Sequence, residues 1–431
     1  MKPLQAILAA LALLATLPAG AQPVERITVG EAVTEALEKN YQVLRSREQL
    51  SRLRGQVTEV RSQRFPQLEL QSSYLRRYDE TVLDRLDGFI SPEPTNDYSV
   101  RASLDQLLFS WWRVANSIDI AVASLSRGDR EVASTEREVK LRVHEAFYSL
   151  LLANRLVEVA SETLAQRERQ LDVAQKRFDA GVVNEFEVIR ARVDVANAQP
   201  RVVQTQNAVR QAQARLNNLL ARDQSAPIEP EGQLEYVPLE TLSLEEVTAR
   251  AIERRPELAA LRVNQQIAEK DLEIARAGDK PEVTLQADYG YASEDFENLN
   301  ANREVWAAGV FVRVPLFDGW RTRGQIAQAS SQLRDSRIAL DQLRESISLE
   351  AKVSLDELTD SEQVIPATRL NITQAEKALE LAETSYRYGV ATFLDVTDAQ
   401  LSLTVAQTDY ARALHAYMSA KARVLSVMDE L

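Results

Sequence analysis

The 431-residue chain has no cysteine, two histidines and few turn-making residues. Without cysteine there is no disulfide scaffold, thiolate zinc site, cysteine nucleophile or lipidated N-terminal cysteine. His144 and His415 are too little material for a histidine metal site or a catalytic triad, and both fall in helical runs. A lone histidine there is ordinarily a helix-surface residue, so the chain is not read as an enzyme and no cofactor or metal is expected. Gly (13) and Pro (14) each make about 3% of the residues, against averages of roughly 7% and 5%, which excludes a turn-rich all-β fold. Basic charge is in deficit: 51 Lys and Arg face 64 Asp and Glu, for a net −13, the wrong sign for a nucleic-acid binder. No G-x-x-x-x-G-K-[ST] run marks a nucleotide site. Past the N-terminus no apolar run approaches the ~18 residues of a membrane helix. With 45% hydrophobic and 27% charged residues the chain is nevertheless not disordered.

Lys2, the apolar run Leu4 to Leu17 and the Pro18-Ala19-Gly20-Ala21 segment have the form of a cleavable secretory signal over residues 1–21. The alternative is a membrane anchor, for which the run is short of the ~20 residues that span comfortably.

The remainder is written twice. At an offset of 215, Thr28-Val29 meets Ser243-Leu244, Ala36-Leu37-Glu38 meets Ala251-Ile252-Glu253, and Pro66 meets Pro281. After Tyr74 and Tyr289 the offset becomes 208: Phe109 meets Phe317, Trp112-Arg113 meets Trp320-Arg321, and Gly181-Val182 meets Gly389-Val390. Aligned punctuation, outside any helical period, points to a duplicated unit of helix, two strands, long helix, turn and helix. The first repeat spans 22–222 and the second 243–431. Pro227, Pro230 and Pro238 mark the linker at 223–242.

A 4-3 apolar spacing from Ala115 to Phe178, through Val139, Val143, Leu150, Ala153 and Ala160, predicts a coiled-coil seam on a helix over 113–178. That helix would be about 100 Å long at 1.5 Å per residue. Its copy, 321–386, carries a weaker seam with Pro366 inside it. Shorter return helices are predicted at 185–220, with Pro200 inside, and at 393–428. Both prolines are expected to kink their helices. Period-2 alternation predicts strands at 67–78, 97–108, 282–291 and 305–316. Nine to eleven residues with polar groups on one face suit a membrane barrel strand as well as an amphipathic hairpin on a soluble core. Four strands cannot close a barrel, and a membrane sheet has no open edge, so a barrel requires oligomerisation; three copies would supply twelve strands. Polar loops at 79–97 and 292–304 join the strands. Trp111, Trp112 and Trp320, where strand turns to helix, suit a membrane–water boundary.

In these features the chain resembles the TolC-type outer-membrane efflux proteins, the outer membrane factors of tripartite efflux and type I secretion systems. The resemblance rests on the duplication, on Val314-Pro315-Leu316-Phe317-Asp318-Gly319-Trp320-Arg321, and on the segment from Tyr386-Arg387-Tyr388-Gly389-Val390 to Asp395-Val396-Thr397-Asp398-Ala399-Gln400. It implies a mainly α protein with a small membrane β-barrel: a homotrimer whose 12-stranded barrel, in outer-membrane lipid, joins a long α-helical tunnel in the periplasm. It implies a passive conduit served by a periplasmic adaptor and an inner-membrane transporter. Asp395 and Asp398 stand at the family's periplasmic acidic ring, and Tyr386 with Glu187 at its gate latch. Ala391 and Phe186 replace the family's Arg and Thr there, so closure is expected to rest on Tyr386–Glu187 and on packing by Phe186. Gly181, Val182, Gly389 and Val390 sit at the tip turns where the adaptor would dock. The lesser alternative for the acids is that they are first-turn residues favoured by the helix dipole, whereas turn geometry alone explains the glycines equally well. A soluble periplasmic coiled-coil scaffold is the competing function; the alternating strands and boundary tryptophans count against it.

Overall fold

The computed structural model describes residues 25–78, 95–240, 242–293 and 303–431. The 1–21 signal, and the polar loops at 79–94 and 294–302, lie outside the described residues. The elements, in order, are β1 (Glu25–Ile27), α1 (Val29–Lys39), α2 (Tyr41–Ser62), β2 (Gln67–Arg77), β3 (Thr95–Phe109), α3 (Arg113–Asp179) and α4 (Glu185–Leu219). There follow β4 (Ile228–Pro230), α5 (Leu244–Arg254), α6 (Pro256–Arg276), β5 (Glu282–Ser293), β6 (Arg303–Arg313), α7 (Arg321–Arg387) and α8 (Phe393–Val427). No described helix is long and apolar enough to cross a membrane.

Contacts divide the chain into two units. The first comprises Met1–Ser46, Val132–Arg255 and Arg344–Leu431. Here the single leading helix expected of each half is two helices. Asn40 and Arg255, at the breaks, have extended backbones (ψ 129° and 123°). Pro256 forces the second break, since its ring disfavours a helical residue before it. At the first, the Asn40 side chain accepts from the Gln42 N–H at 2.8 Å and so starts α2. α1 and α5 begin with matching capping boxes, Thr28–Glu31 and Ser243–Glu246. The linker is not featureless: β4 pairs in parallel with β1, Glu25 beside Ile228. Beneath this pair Ile27, Ile228, Ala32, Ala36, Val143, Phe147, Leu150, Leu216 and Leu220 form the core. Fully burying a Leu or Phe there contributes roughly 1.5–3 kcal/mol.

The seam on α3 is broader than the heptad spacing implies. Val139, Val143, Leu150, Ala153 and Ala160 are buried, but so are Phe147, Leu151 and Val159, while Val122 and Phe178 are exposed. On α7 burial follows the narrow stripe Leu340, Ile347, Ala351, Leu358, Ile365, Ala375 and Leu379. Both α4 and α7 continue as single helices through Pro200 and Pro366.

The second unit comprises Arg47–Glu131 and Pro256–Leu343. It holds an antiparallel sheet in the order β2-β3-β5-β6. The register puts Leu70, Ala102, Tyr289 and Trp306 in one row, and Leu68, Leu104, Ala287 and Ala308 in the next row on that face. The opposite face carries Glu69, Ser103, Asp288 and Ala307. Among the described residues the apolar row is uncovered: Leu70, Tyr289 and Trp306 are all exposed. β3 starts two residues before the expected 97 and ends in a bulge at Leu107/Phe109. β6 stops at Arg313 rather than 316, because Pro315 has no N–H for the ladder.

Candidate functional site

Two helix–helix turns in the first unit carry most of the candidate residues. Gly181 and Gly389 have φ of 73° and 77°, left-handed values that cost glycine nothing. Around them the turns close alike. Val182 N–H donates to the Arg177 carbonyl at 2.9 Å, and Val390 N–H to the Ser385 carbonyl at 2.9 Å. The helices that follow are capped by Asn184 and Thr392. Val182 and Val390 are 64% and 82% exposed on the turns.

Between the turns Tyr386 is held on three sides. Its Oη donates to Glu187 Oε2 at 2.9 Å. The Arg177 guanidinium lies 4.4 Å over the ring, and its Nη1 donates to the Tyr386 carbonyl at 3.2 Å. Phe393 meets the ring at 6.1 Å and is buried with Ala174, Val188 and Ala191. Burial and the Glu187 bond push the phenol up to about 12, so it stays a donor at neutral pH. Phe186, expected to pack here, is 66% exposed. The apolar partner is Phe393: the residue after the Thr392 cap turns inward, while Phe186, two residues after the Asn184 cap, turns out. Arg177 and Phe393 escaped the sequence reading. Arg177's signal was its place one residue before the turn's aromatic Phe178. Below the cluster, Gln170 Nε2 donates to Gln400 Oε1 at 2.6 Å, and Gln400 is fully buried.

The two acids differ in their ties. The Asp395 carboxylate accepts from Thr392 N–H and Oγ1, each at 2.7 Å. These bonds hold it below the usual aspartate range. It is therefore a capping residue as well as an exposed charge. Asp398, exposed one turn on, acts through its field on Arg167, which pairs with Asp194 at 3.7 Å.

In the second unit the strand–helix junctions are strained alike. Trp111, Trp112 and Trp320 have φ of 50°, 64° and 70°, and Gly319 has 66°. Such values are uncommon for a bulky side chain. Phe109 lies 5.5 Å from Trp111, Phe317 lies 6.1 Å from Trp320, and Trp112 and Trp320 are about two-thirds exposed. His144 and His415 are not surface residues as the sequence suggested. They are partly buried, with His144 Nδ1 2.9 Å from the Lys140 carbonyl and His415 Nε2 3.4 Å from Ser149 Oγ. No described cluster of three or more His, Cys, Asp or Glu could hold a metal ion.

An amphipathic sheet with an exposed apolar face, long helices and two helical turns joined through Tyr386 fit the class of outer-membrane efflux channels. The chain belongs to the outer membrane efflux protein family, whose model matches residues 32–222 and 247–428. It is 24% identical over 369 residues to the outer membrane protein TolC of Vibrio cholerae, covering 84% of this chain and 81% of that one. It is 26% identical over 359 residues to the alkaline protease secretion protein AprF of Pseudomonas aeruginosa, covering 82% and 74%. The crystal structure of the outer membrane protein VceC of Vibrio cholerae has the same fold, with a TM-score of 0.78 at 20% identity over 93% of this chain and 95% of that one. These relatives are named as outer-membrane and secretion proteins rather than enzymes, which disfavours the soluble scaffold.

Proposed function

We propose that three copies of the chain close one 12-stranded barrel in outer-membrane lipid, continued by an α-helical tunnel into the periplasm and built from two repeats per chain. The observation that carries this is the β2-β3-β5-β6 sheet. Its outer strands β2 and β6 have unpaired edges, and one face is apolar and uncovered. Neither is tolerated in lipid unless edge pairs with edge in a closed ring. The junction tryptophans would mark the membrane boundary. The conduit is passive, with energy from an inner-membrane transporter reached through a periplasmic adaptor that docks at Gly181-Val182 and Gly389-Val390. The resting gate is the tip, latched by Tyr386–Glu187 and ringed by Asp395 and Asp398. Light scattering of the detergent-solubilised protein should give three chains per particle, falling to one in SDS. A monodisperse monomer with the strands intact by circular dichroism would overturn the assembly.

A further inference from the structure

Each leading helix is fastened to the C-terminal end of the return helix of its own half, and the two fastenings are built alike. Asn40 Nδ2 donates to the Leu219 carbonyl at 2.8 Å, and Arg255 Nε to the Val427 carbonyl at 3.0 Å. Asn40 and Arg255 correspond under the offset of 215, and Leu219 and Val427 under that of 208. Just past the return helices, Ala221 and Asp429 both take left-handed backbones, φ 54° and 57°. Arg222 N–H then donates to the Asn217 carbonyl at 2.9 Å, and Glu430 N–H to that of Leu425 at 2.8 Å.

The charges on these fastenings are inverted. In the first half the acid is on the leading helix: Glu35 accepts from Arg222 Nε at 2.9 Å. Both side chains are more than four-fifths buried. In the second half the base is on the leading helix. Arg250, which corresponds to Glu35, lies 3.5 Å from Glu430, which corresponds to Arg222. Arg254, one turn on, reaches Glu430 at 2.5 Å. Arg254 corresponds to Lys39, which in the first half pairs with Glu35 at 3.0 Å. So the neighbouring base is shared and only the facing pair is reversed.

We propose that this inversion is a pairing code, which makes each leading helix reject the return helix of the other half. Two nearly equivalent seats exist in the first unit, of one backbone design. With uniform charges a leading helix would be attracted to either. As built, α1 on the α8 seat sets Glu35 against Glu430, and α5 on the α4 seat sets Arg250 and Arg254 against Arg222. Each wrong docking brings like charges together at the facing position, the repulsive element that specificity requires; Lys39 would still offer Glu430 a base and Glu25 would still hold Arg222, so the rejection rests on the facing pair alone. The proposal rests on the registration of the two halves and is independent of conduction.

The chain has no cysteine, so cysteine probes report without background. One probe replaces Glu38, on α1. Its partner replaces Asp223, beside the α4 seat, for the correct pair, or Leu431, beside the α8 seat, for the wrong one. The full chain is refolded from urea into detergent and treated with a short bis-maleimide. In the parent the correct pair should dominate. R250E/E430R gives the second half the charges of the first and keeps an ion pair in each seat. It should leave the correct cross-link in place and raise the wrong one by roughly tenfold, because like-charge rejection is what it removes. R250E alone, which sets two acids against each other in the second seat, should weaken that seat. If R250E/E430R does not refold, E35R/R222E makes the reciprocal exchange with the same expectation, in an E25Q background because Glu25 also pairs with Arg222, at 2.8 Å. A wrong-pair cross-link no higher than the parent's in the exchanged chain that refolds would reduce the bridges to local staples and overturn the code.

Discussion

Tyr386 is a phenol between an acid and a guanidinium, and its hydroxyl bonds Glu187 across the two turns while its carbonyl accepts from Arg177. Tyr386→Phe keeps the ring for Arg177 and Phe393 and removes only that bond, a net loss of about 0.5–1.5 kcal/mol. It should raise the single-channel open probability in planar bilayers with protein level and assembly unchanged. Glu187→Gln, whose amide oxygen still accepts, should have the smaller effect. The histidines give a second residue-scale expectation. Burial lowers the pKa of both His144 and His415. The folded chain therefore holds them neutral, and the unfolded chain binds the extra protons. Stability from this source is full above the unfolded value of ~6.5 and is lost as pH falls below it. The urea midpoint should fall between about pH 7.5 and 5.5, and His144→Gln with His415→Gln should flatten that slope.

At the scale of elements, legibility followed period and length. The apolar spacing over 113–178 stands against a helix at Arg113–Asp179, because a pattern that long has one solution. The same pattern did not reveal that Phe147 and Val159 are also buried, since a heptad describes one neighbour and α3 has several. β1 and β4, three residues each, are too short to show any period. The break at Asn40 was hidden because asparagine stops no helix by itself; its partners Gln42 and Leu219 are visible only once folded. At the tip, glycine spacing located the turns but not which aromatic turned inward. The turns carry the element-scale prediction. Val182 and Val390 are largely exposed, so a charge there costs the fold little. If they meet an adaptor, Val182→Asp with Val390→Asp should abolish transport and adaptor co-purification while the channel remains at normal level in the outer membrane. Normal transport would leave the glycines as turn geometry alone.

At the scale of the whole molecule, charge that is unremarkable in one chain becomes a field in three. The chain is net −13, and Asp395 and Asp398 lie three residues apart on one helix face. In the proposed trimer six carboxylates would surround one opening and concentrate a negative potential that draws multivalent cations. The two acids are not equivalent there. Asp398 shares its field with Arg167, whereas Asp395 is tied to its own cap, which holds its carboxyl below the usual aspartate range. Asp395 should therefore carry more of the block. Replacement by asparagine separates charge from capping, because the amide oxygen still accepts from Thr392. A trivalent cation added on the periplasmic side of a planar bilayer should block the wild-type channel. Asp398→Asn should weaken the block, Asp395→Asn should weaken it more, and the double variant should conduct freely. Because the Thr392 bonds hold the Asp395 carboxyl below the usual aspartate range, the block should persist further into acid than an untied aspartate would allow. Equal block of wild type and double variant would place the cation site elsewhere in the tunnel and leave Asp395 with its capping bond alone.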